Sequence, residues 1–309
     1  MGLAGSPEFF ARLAEVLRRE PVDGTVNHLL WAYRQKVLPG LSERTQADYR
    51  KRLDMIAKQF GPLSLRAMSS DAIGPHIAAW RDGMASTPRQ ADYAMQVLSA
   101  VLSWGASGSQ RKVAKNQALG FERLYHADRR EKVWTQDHVD AFLKVAPEPL
   151  RRALILAAET GQRQGDLLRL TWSGVKAQHI ELRQRKTSVD VAVAISPALR
   201  LCLDAAPRGA AVTLLTTGQG LPWDPKGNGF RSAWQDACKA AGVKGVTFHD
   251  LRGTFATRRL ADGWTPQDVA YCTGHSLRDL GSLDKYIDRK SVAAARAIDM
   301  AQRTDRGAK

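Results

Sequence analysis

The chain has 309 residues, 44% of them hydrophobic, which is enough for one large domain or two ordinary ones with real cores. Its 46 Lys and Arg outweigh 31 Asp and Glu and leave a net charge of +15, so a polyanionic partner is expected: nucleic acid first, an acidic membrane surface second. The lack of any run of 18 apolar residues excludes a membrane span, the start lacks the apolar core of a secretory signal, and Cys202, Cys238 and Cys272, scattered without CxxC or Cys/His spacing, exclude a disulfide framework and a structural zinc site and point to a reducing compartment.

Residues 1–20 form a lead-in with one amphipathic stretch. From 21 to 125 the pattern is helical. "TVNHLLWAYRQKV" carries Leu29, Leu30 and Tyr33 at helical spacing. "SERTQADYRKRLDMIAKQFG" opens on Ser42 as N-cap, closes at Gly61, and lines up Tyr49, Leu53, Ile56 and Phe60 in one apolar stripe. "SSDAIGPHIAAWRDGM" and "STPRQADYAMQVLSAVLSWGAS" supply a third and a fourth helix, the latter with Pro88 at its first position. The result is a bundle of about four helices, with Arg44, Arg50, Lys51, Arg52 and Arg89 between the apolar positions.

The polar run "HADRREKV", 126–133, is the linker, and a second domain occupies 134–309, where Thr135 caps a first helix. "HIELRQRKTSVDVAVAIS" holds two strand-like runs, Ile180–Arg183 and Val189–Ile195, around a polar turn, and Ser196 and Pro197 start another helix. "NGFRSAWQDACKAAG" puts Phe230, Trp234, Ala237 and Ala241 on one side, with Trp234 expected in the core rather than as a stacking platform. The fold class is mainly α with a small β-sheet (α+β).

Polar groups that interrupt apolar patterns mark the chemistry. Arg163, in "LAAETGQRQGDLLRLTW", stands between Gly161 and Gly165 just past a helix end, where a guanidinium can hold an anion; taken alone it reads as a solvated arginine. Lys186 sits at the hairpin tip and alone is an ordinary surface lysine. In "TFHDLRGTFATRRLADG", His249 and Arg252 stand three apart and are expected to share a helix face, with Phe248, Leu251 and Phe255 packing on the other side. His275 follows Gly274 at a helix-to-loop switch, with a packing histidine as the plain alternative, and Tyr286 lies in a short helical stretch near the C-terminus. Asp166 and Asp250 read as helix-start or salt-bridge residues, and Tyr271 as a packing residue in an apolar helix.

Taken in order, "TGQRQGDLLRLTW", "QRKTS", "HDLRGTFATRRLADG", "CTGHS" and "DKYIDR" resemble the tyrosine recombinase (phage integrase) family across 133–292, and more weakly across 20–125. The resemblance implies a helical core-binding bundle followed by a tyrosine recombinase catalytic domain. It also implies DNA strand cleavage and rejoining through a 3′-phosphotyrosyl link, without metal, ATP or any other cofactor. Tyr286 is the implied nucleophile, Arg163 and Arg252 the phosphate ligands, His249 the base, Lys186 the acid to the leaving 5′-oxygen, and His275 a hydrogen-bond donor to the phosphate. Double-stranded DNA carrying attachment or core sites is the implied partner, with a homotetramer on that DNA, an accessory excision factor, and a place in the bacterial cytoplasm at the nucleoid. The tail helix with Val292, Ala295 and Ile298 is expected to dock on a neighbouring subunit, the alternative being its own domain. Arg44, Arg52, Arg89 and Gln90 are candidates for reading bases or phosphates.

Two departures stand out. The family spaces the glycine-histidine pair and the tyrosine by nine residues; His275 and Tyr286 are eleven apart, an expected two-residue insertion near Gly281. "GLAGSPEFFARL" resembles the connector that follows an arm-binding domain in some bacterial integrases, so such a domain is expected to be missing ahead of it; "GSPEF" also reads as a cloning scar. A topoisomerase-like relaxing enzyme and an inactive DNA-binding regulator are the competing readings.

Overall fold

The computed structural model describes residues 22–108, 110–126, 132–284 and 287–307. The lead-in, most of the expected linker and Tyr286 lie outside the described residues. The chain divides into two compact units, Met1–Ala127 and Asp128–Lys309.

The first unit is a bundle of four main helices. Helix α1, Val26–Lys36, starts where the Thr25 hydroxyl accepts the His28 amide. Helix α2, Glu43–Phe60, starts at Ser42, whose hydroxyl accepts the Thr45 amide, and ends at Gly61. Such caps satisfy backbone donors that the first turn leaves unpaired. Helix α3 is Gly74–Asp82 and α4 is Pro88–Ala106, with proline in the first turn of each. The expected third helix is shorter than its sequence pattern. Asp71–Ile73 splits off as a 3₁₀ turn just ahead of Gly74 and Pro75, opened by the Ser70 hydroxyl, which accepts the Ala72 amide at 3.3 Å. Leu29, Leu30, Leu53, Ile56, Phe60, Leu98, Val101 and Leu102 fill the core, whereas Tyr49 is only half-buried at its margin.

In the second unit a Thr135–His138 capping box opens helix α5, Gln136–Val145. Helix α6, Glu148–Thr160, ends at Gly161 in the left-handed region with φ 65°. A one-turn helix, Gln164–Leu167, follows at once. Strands β1, His179–Arg183, and β2, Asp190–Ala194, form an antiparallel hairpin with Ile180 opposite Val193 and Leu182 opposite Val191. Ile180, Val191 and Val193 are buried, so the hairpin lays one face on the core and leaves its tip outside. Helices α7, Pro197–Asp204, and α8, Gly229–Ala240, follow.

Trp234 of α8 is a core residue, its ring centroid 4.5 Å from that of Phe142 and 4.7 Å from that of Phe248. Trp134 fixes the entry to helix α9, Asp250–Ala261. Its indole N–H donates to the Thr247 carbonyl at 2.9 Å, and its amide donates to the Thr254 hydroxyl at 2.8 Å.

Helix α10 is Pro266–Thr273 and α11 is Arg289–Gly307. Ala256, Leu260, Val269, Leu283 and Ile287 form a separate small core with Val292 against it. The start of α11 therefore packs on its own unit, where the Arg296 Nε donates to the Leu260 carbonyl at 3.1 Å. Ile298, further along the same helix, is exposed. Among the described residues no helix is long and apolar enough to cross a membrane.

Candidate active site

Four chain switches deliver the site. Arg163 lies two residues past the left-handed turn at Gly161, and its Nη1 hydrogen-bonds the Gln184 side-chain oxygen. Gln184 is the residue at which β1 gives way to the hairpin turn. Its amide donates to the Gln162 side-chain oxygen and to the Thr273 carbonyl, both at 2.8 Å. Gln162 in turn donates to the Cys272 carbonyl at 2.7 Å.

The start of α9 explains the fate of His249 and Arg252. Asp250 accepts the Thr247 amide at 2.7 Å and its hydroxyl at 2.8 Å, so its carboxylate closes the turn that begins the helix. His249 is the residue before the first helical one and is exposed, whereas Arg252 is 2% exposed. His249 already has helical backbone angles, φ −66° and ψ −24°, so the i, i+3 spacing carries across the helix start, and the two differ in depth rather than in direction. Arg252 donates to the Gly161 carbonyl at 2.7 Å and to the Thr273 carbonyl, and its Nη2 lies 3.4 Å from the His275 Nδ1. One guanidinium thereby joins the ends of α6 and α10.

Gly161 and Gly274 make that closeness feasible. Both have φ 65°, which side chains rarely adopt. A Cβ on Gly161 would lie 2.5 Å from the Phe255 ring, and one on Gly274 would lie 2.6 Å from the Gln184 oxygen. The glycine of the glycine-histidine pair is therefore a packing requirement of the Gln184 amide as much as a turn residue.

His275 is half-buried with its Nδ1 2.7 Å from the Thr273 hydroxyl. Its pKa is pushed down to about 3, by burial first, then by the charges of Arg252, Arg163 and His249. Arg252 touches the ring, and Arg163 is bonded to Gln184, which shares the Thr273 carbonyl with Arg252, so both guanidinium groups and the imidazole gather around one spot. At neutral pH the ring is uncharged and keeps a single N–H.

Lys186 stands exposed in the turn formed by 185–187. The turn is anchored from below: the Arg185 amide donates to Asp166 at 3.0 Å, and the Thr187 hydroxyl donates to the Gln184 oxygen at 3.0 Å. Tyr286 lies outside the described residues, which resume at Ile287. Leu283 and Ile287 are buried, and the Asp288 amide donates to the Thr257 hydroxyl at 3.1 Å. The stretch between His275 and Tyr286 holds a 3₁₀ turn, Leu277–Asp279, and a one-turn helix, Gly281–Asp284.

Sequence reasoning missed Gln162, Gln184 and Thr273, whereas Asp166 lies in the first turn of a helix as expected. The available signal was a glutamine directly after a buried strand and another squeezed between Gly161 and Arg163. Tyr271 is the opposite error. It is 65% exposed, because α10 turns Val269, Ala270 and Thr273 inward and leaves residue 271 on the far side.

A cavity of about 640 Å³ opens beside the hairpin, lined by Arg169, Lys176, Arg183 and Arg185 but also by Asp166, Glu181 and Asp190. None of the six candidate residues lines it. Its mixed charge sets it apart from the cationic cluster, which suits a group held at a surface rather than in a pit.

The sequence profile of the phage integrase family matches residues 132–291. The integrase of Escherichia phage HK022 is 23% identical over 237 residues, covering 70% of this chain and 63% of that protein. A shufflon-specific DNA recombinase of Escherichia coli is 28% identical over 151 residues, covering 48% of this chain and 37% of that protein. The chain thus spans less than two thirds of these relatives' length. Among solved structures, a lambda integrase dimer bound to a COC′ core site superposes with a TM-score of 0.67 at 22% identity, over 83% of this chain and 97% of that one. A lambda integrase tetramer bound to a Holliday junction gives 0.65 at 22% identity, over 89% and 83%. The fold is that of these integrases, and the family match runs from Lys132 to Ser291, over half the chain and through each of the stretches just described. This chain belongs to the phage integrase family of tyrosine recombinases.

Proposed function

We propose that this protein is a site-specific DNA recombinase that cuts and rejoins strands through a 3′-phosphotyrosyl intermediate, with no metal or nucleotide taking part. The convergence of Arg163, Arg252 and His275, with His249 in electrostatic reach, is the observation that carries the reading. A phosphodiester gains negative charge as it is attacked, and preorganised donors on its nonbridging oxygens are worth about 3–4 kcal/mol each. Two guanidinium groups meet that demand with paired N–H bonds.

In the proposed step the Tyr286 oxygen forms a bond to phosphorus as the bond from phosphorus to the 5′-oxygen breaks. The phenol proton passes to His249. The electron pair leaves with the 5′-oxygen, which takes a proton from Lys186. His275 donates its N–H to a nonbridging oxygen. A phenol with a pKa near ~10 needs both a proton acceptor and positive surroundings to attack at neutral pH. The phosphotyrosyl link conserves the broken bond's free energy, so the reverse attack by another strand's 5′-hydroxyl needs no ATP.

The first unit is proposed as the core-binding domain. Arg52 lies over the Tyr93 ring at 4.8 Å and Arg89 over the Tyr125 ring at 4.1 Å. Aromatic support of this kind holds guanidinium groups extended toward phosphates or bases. The net charge of +15 supports salt-sensitive duplex binding. By analogy with the dimer on a core site and the tetramer on a Holliday junction, assembly on two DNA sites is the proposed working form.

The test is a duplex nicked next to the scissile phosphate, so that the freed 5′ fragment diffuses away. A covalent protein–DNA adduct is expected with the native chain and none with Tyr286→Phe. An adduct that survives Tyr286→Phe would refute the assignment, and strand exchange between two marked duplexes separates a recombinase from a relaxing enzyme.

A further inference from the structure

A pair of glutamines below the cationic cluster has no part in the chemistry above. Gln184 is 0% exposed and Gln162 is 2% exposed. Every hydrogen-bonding position of the Gln184 amide is used. Its two N–H groups go to the Gln162 oxygen and the Thr273 carbonyl at 2.8 Å each, and its oxygen accepts from the Arg163 guanidinium and, at 3.0 Å, from the Thr187 hydroxyl. The orientation is forced. Arg163 can only donate and the Thr273 carbonyl can only accept, so a flipped amide would meet like groups on both sides. Gln162 makes three such bonds: its N–H groups reach the Thr160 carbonyl at 2.9 Å and the Cys272 carbonyl at 2.7 Å, while its oxygen accepts from Gln184.

This pair reaches the arms that carry Arg163, Lys186 and His275. Gln184 holds Arg163 directly. It shares the Thr273 carbonyl with Arg252, one residue before Gly274 and two before His275. It also holds Thr187, the residue next to Lys186, and its own carbonyl accepts the Ser188 amide at 2.8 Å, so the tip that carries Lys186 is fastened to the same amide that orients Arg163. A buried, fully satisfied polar network of this sort specifies one arrangement, because each broken bond leaves a buried group unpaired.

We infer that Gln162 and Gln184 are positioning residues that set the distance between the leaving-group acid Lys186 and the phosphate ligands Arg163 and Arg252, with Gln184 the member that governs the hairpin. The inference rests on the recombinase reading and deepens it.

The test compares leaving groups. In a nicked duplex the 5′-oxygen of the scissile phosphate is replaced by sulfur. A thiolate, with a thiol pKa near ~8.5, leaves without a proton, whereas an alkoxide, close to water's ~15.7, does not. Cleavage of both substrates is followed in single turnover for the native chain, Gln184→Leu and Thr187→Val, with melting temperature and duplex affinity measured alongside. Gln184→Leu is expected to slow cleavage of the oxygen substrate about 10²-fold, and to slow the sulfur substrate at least about tenfold less, because only the acid's placement is bypassed. Thr187→Val, on the exposed turn, is expected to lose about fivefold on oxygen, the worth of one hydrogen bond, and nothing on sulfur.

Equal losses on the two substrates, or native rates in both variants, would overturn the inference while leaving the recombinase reading intact. If Gln184→Leu does not fold, Thr187→Val decides alone by the same ratio. A native chain that forms no Tyr286-dependent adduct would sink the recombinase reading and this inference together.

Discussion

The inner and outer halves of the site are built on different principles. The inner half, Arg163, Arg252 and His275 above the two glutamines, is tied down by bonds to carbonyl oxygens and amides and closed by two left-handed glycines. The outer half, Lys186 and His249, stands exposed, one on a turn and one ahead of a helix. The contrast separates tasks. On the proposed mechanism, fixed positive charge is most effective when preorganised and shielded from water, whereas groups that would pass protons must reach substrate atoms that arrive only with DNA.

The contrast is breakable, starting with the largest effect. Arg252→Ala should lower adduct formation by about 10³-fold or more, and should also lower the melting temperature, because the Gly161 and Thr273 carbonyls lose a buried donor. Lys186→Ala should cost about 10²-fold or more in cleavage, yet change unfolding free energy by less than about 0.5 kcal/mol. If Lys186→Ala destabilised the fold as much as Arg252→Ala, the division into inner and outer halves would fail.

Gly274→Ala tests the inner half without removing a charge. It combines a left-handed backbone with a collision at the Gln184 oxygen, and should cost about 1–3 kcal/mol of stability. Denaturant titration would detect it. The last expected effect is in pH. The folded-state pKa of His275 is held near 3, below its unfolded value of 6.5, so the folded chain binds fewer protons between those values. Stability should therefore fall as pH drops from about 6.5 toward 3. His275→Gln should flatten that part of the profile, which thermal melts across the range would reveal.

Much of this was legible in the sequence, for identifiable reasons. Ser42, Thr135 and Pro88 mark helix starts through local hydrogen bonding and fixed φ, which need no tertiary context. The Ile180 and Val193 pattern marked the hairpin because alternation survives wherever one face is buried. Arg163, His249, Arg252 and His275 were singled out by order and residue type. The burial of Arg252 was not legible, because it follows from the Gly161 and Thr273 carbonyls that hold the guanidinium, and both are distant in sequence. Gln162 and Gln184 escaped notice because a glutamine's role depends on partners 22 to 110 residues away. Tyr271 was misjudged because an eight-residue helix offers too few turns to reveal its inward side.

Leu283 and Ile287 carry a mechanical consequence for the proposed reaction. Both are buried in one small core, with Tyr286 between them in the chain. Four residue steps separate these two moorings, at most about 14 Å of fully drawn-out backbone. A severed strand fastened to residue 286 would inherit that short leash. Exchange would then have to come from movement of the incoming strand and of whole protomers, with the tethered end serving as the stationary post.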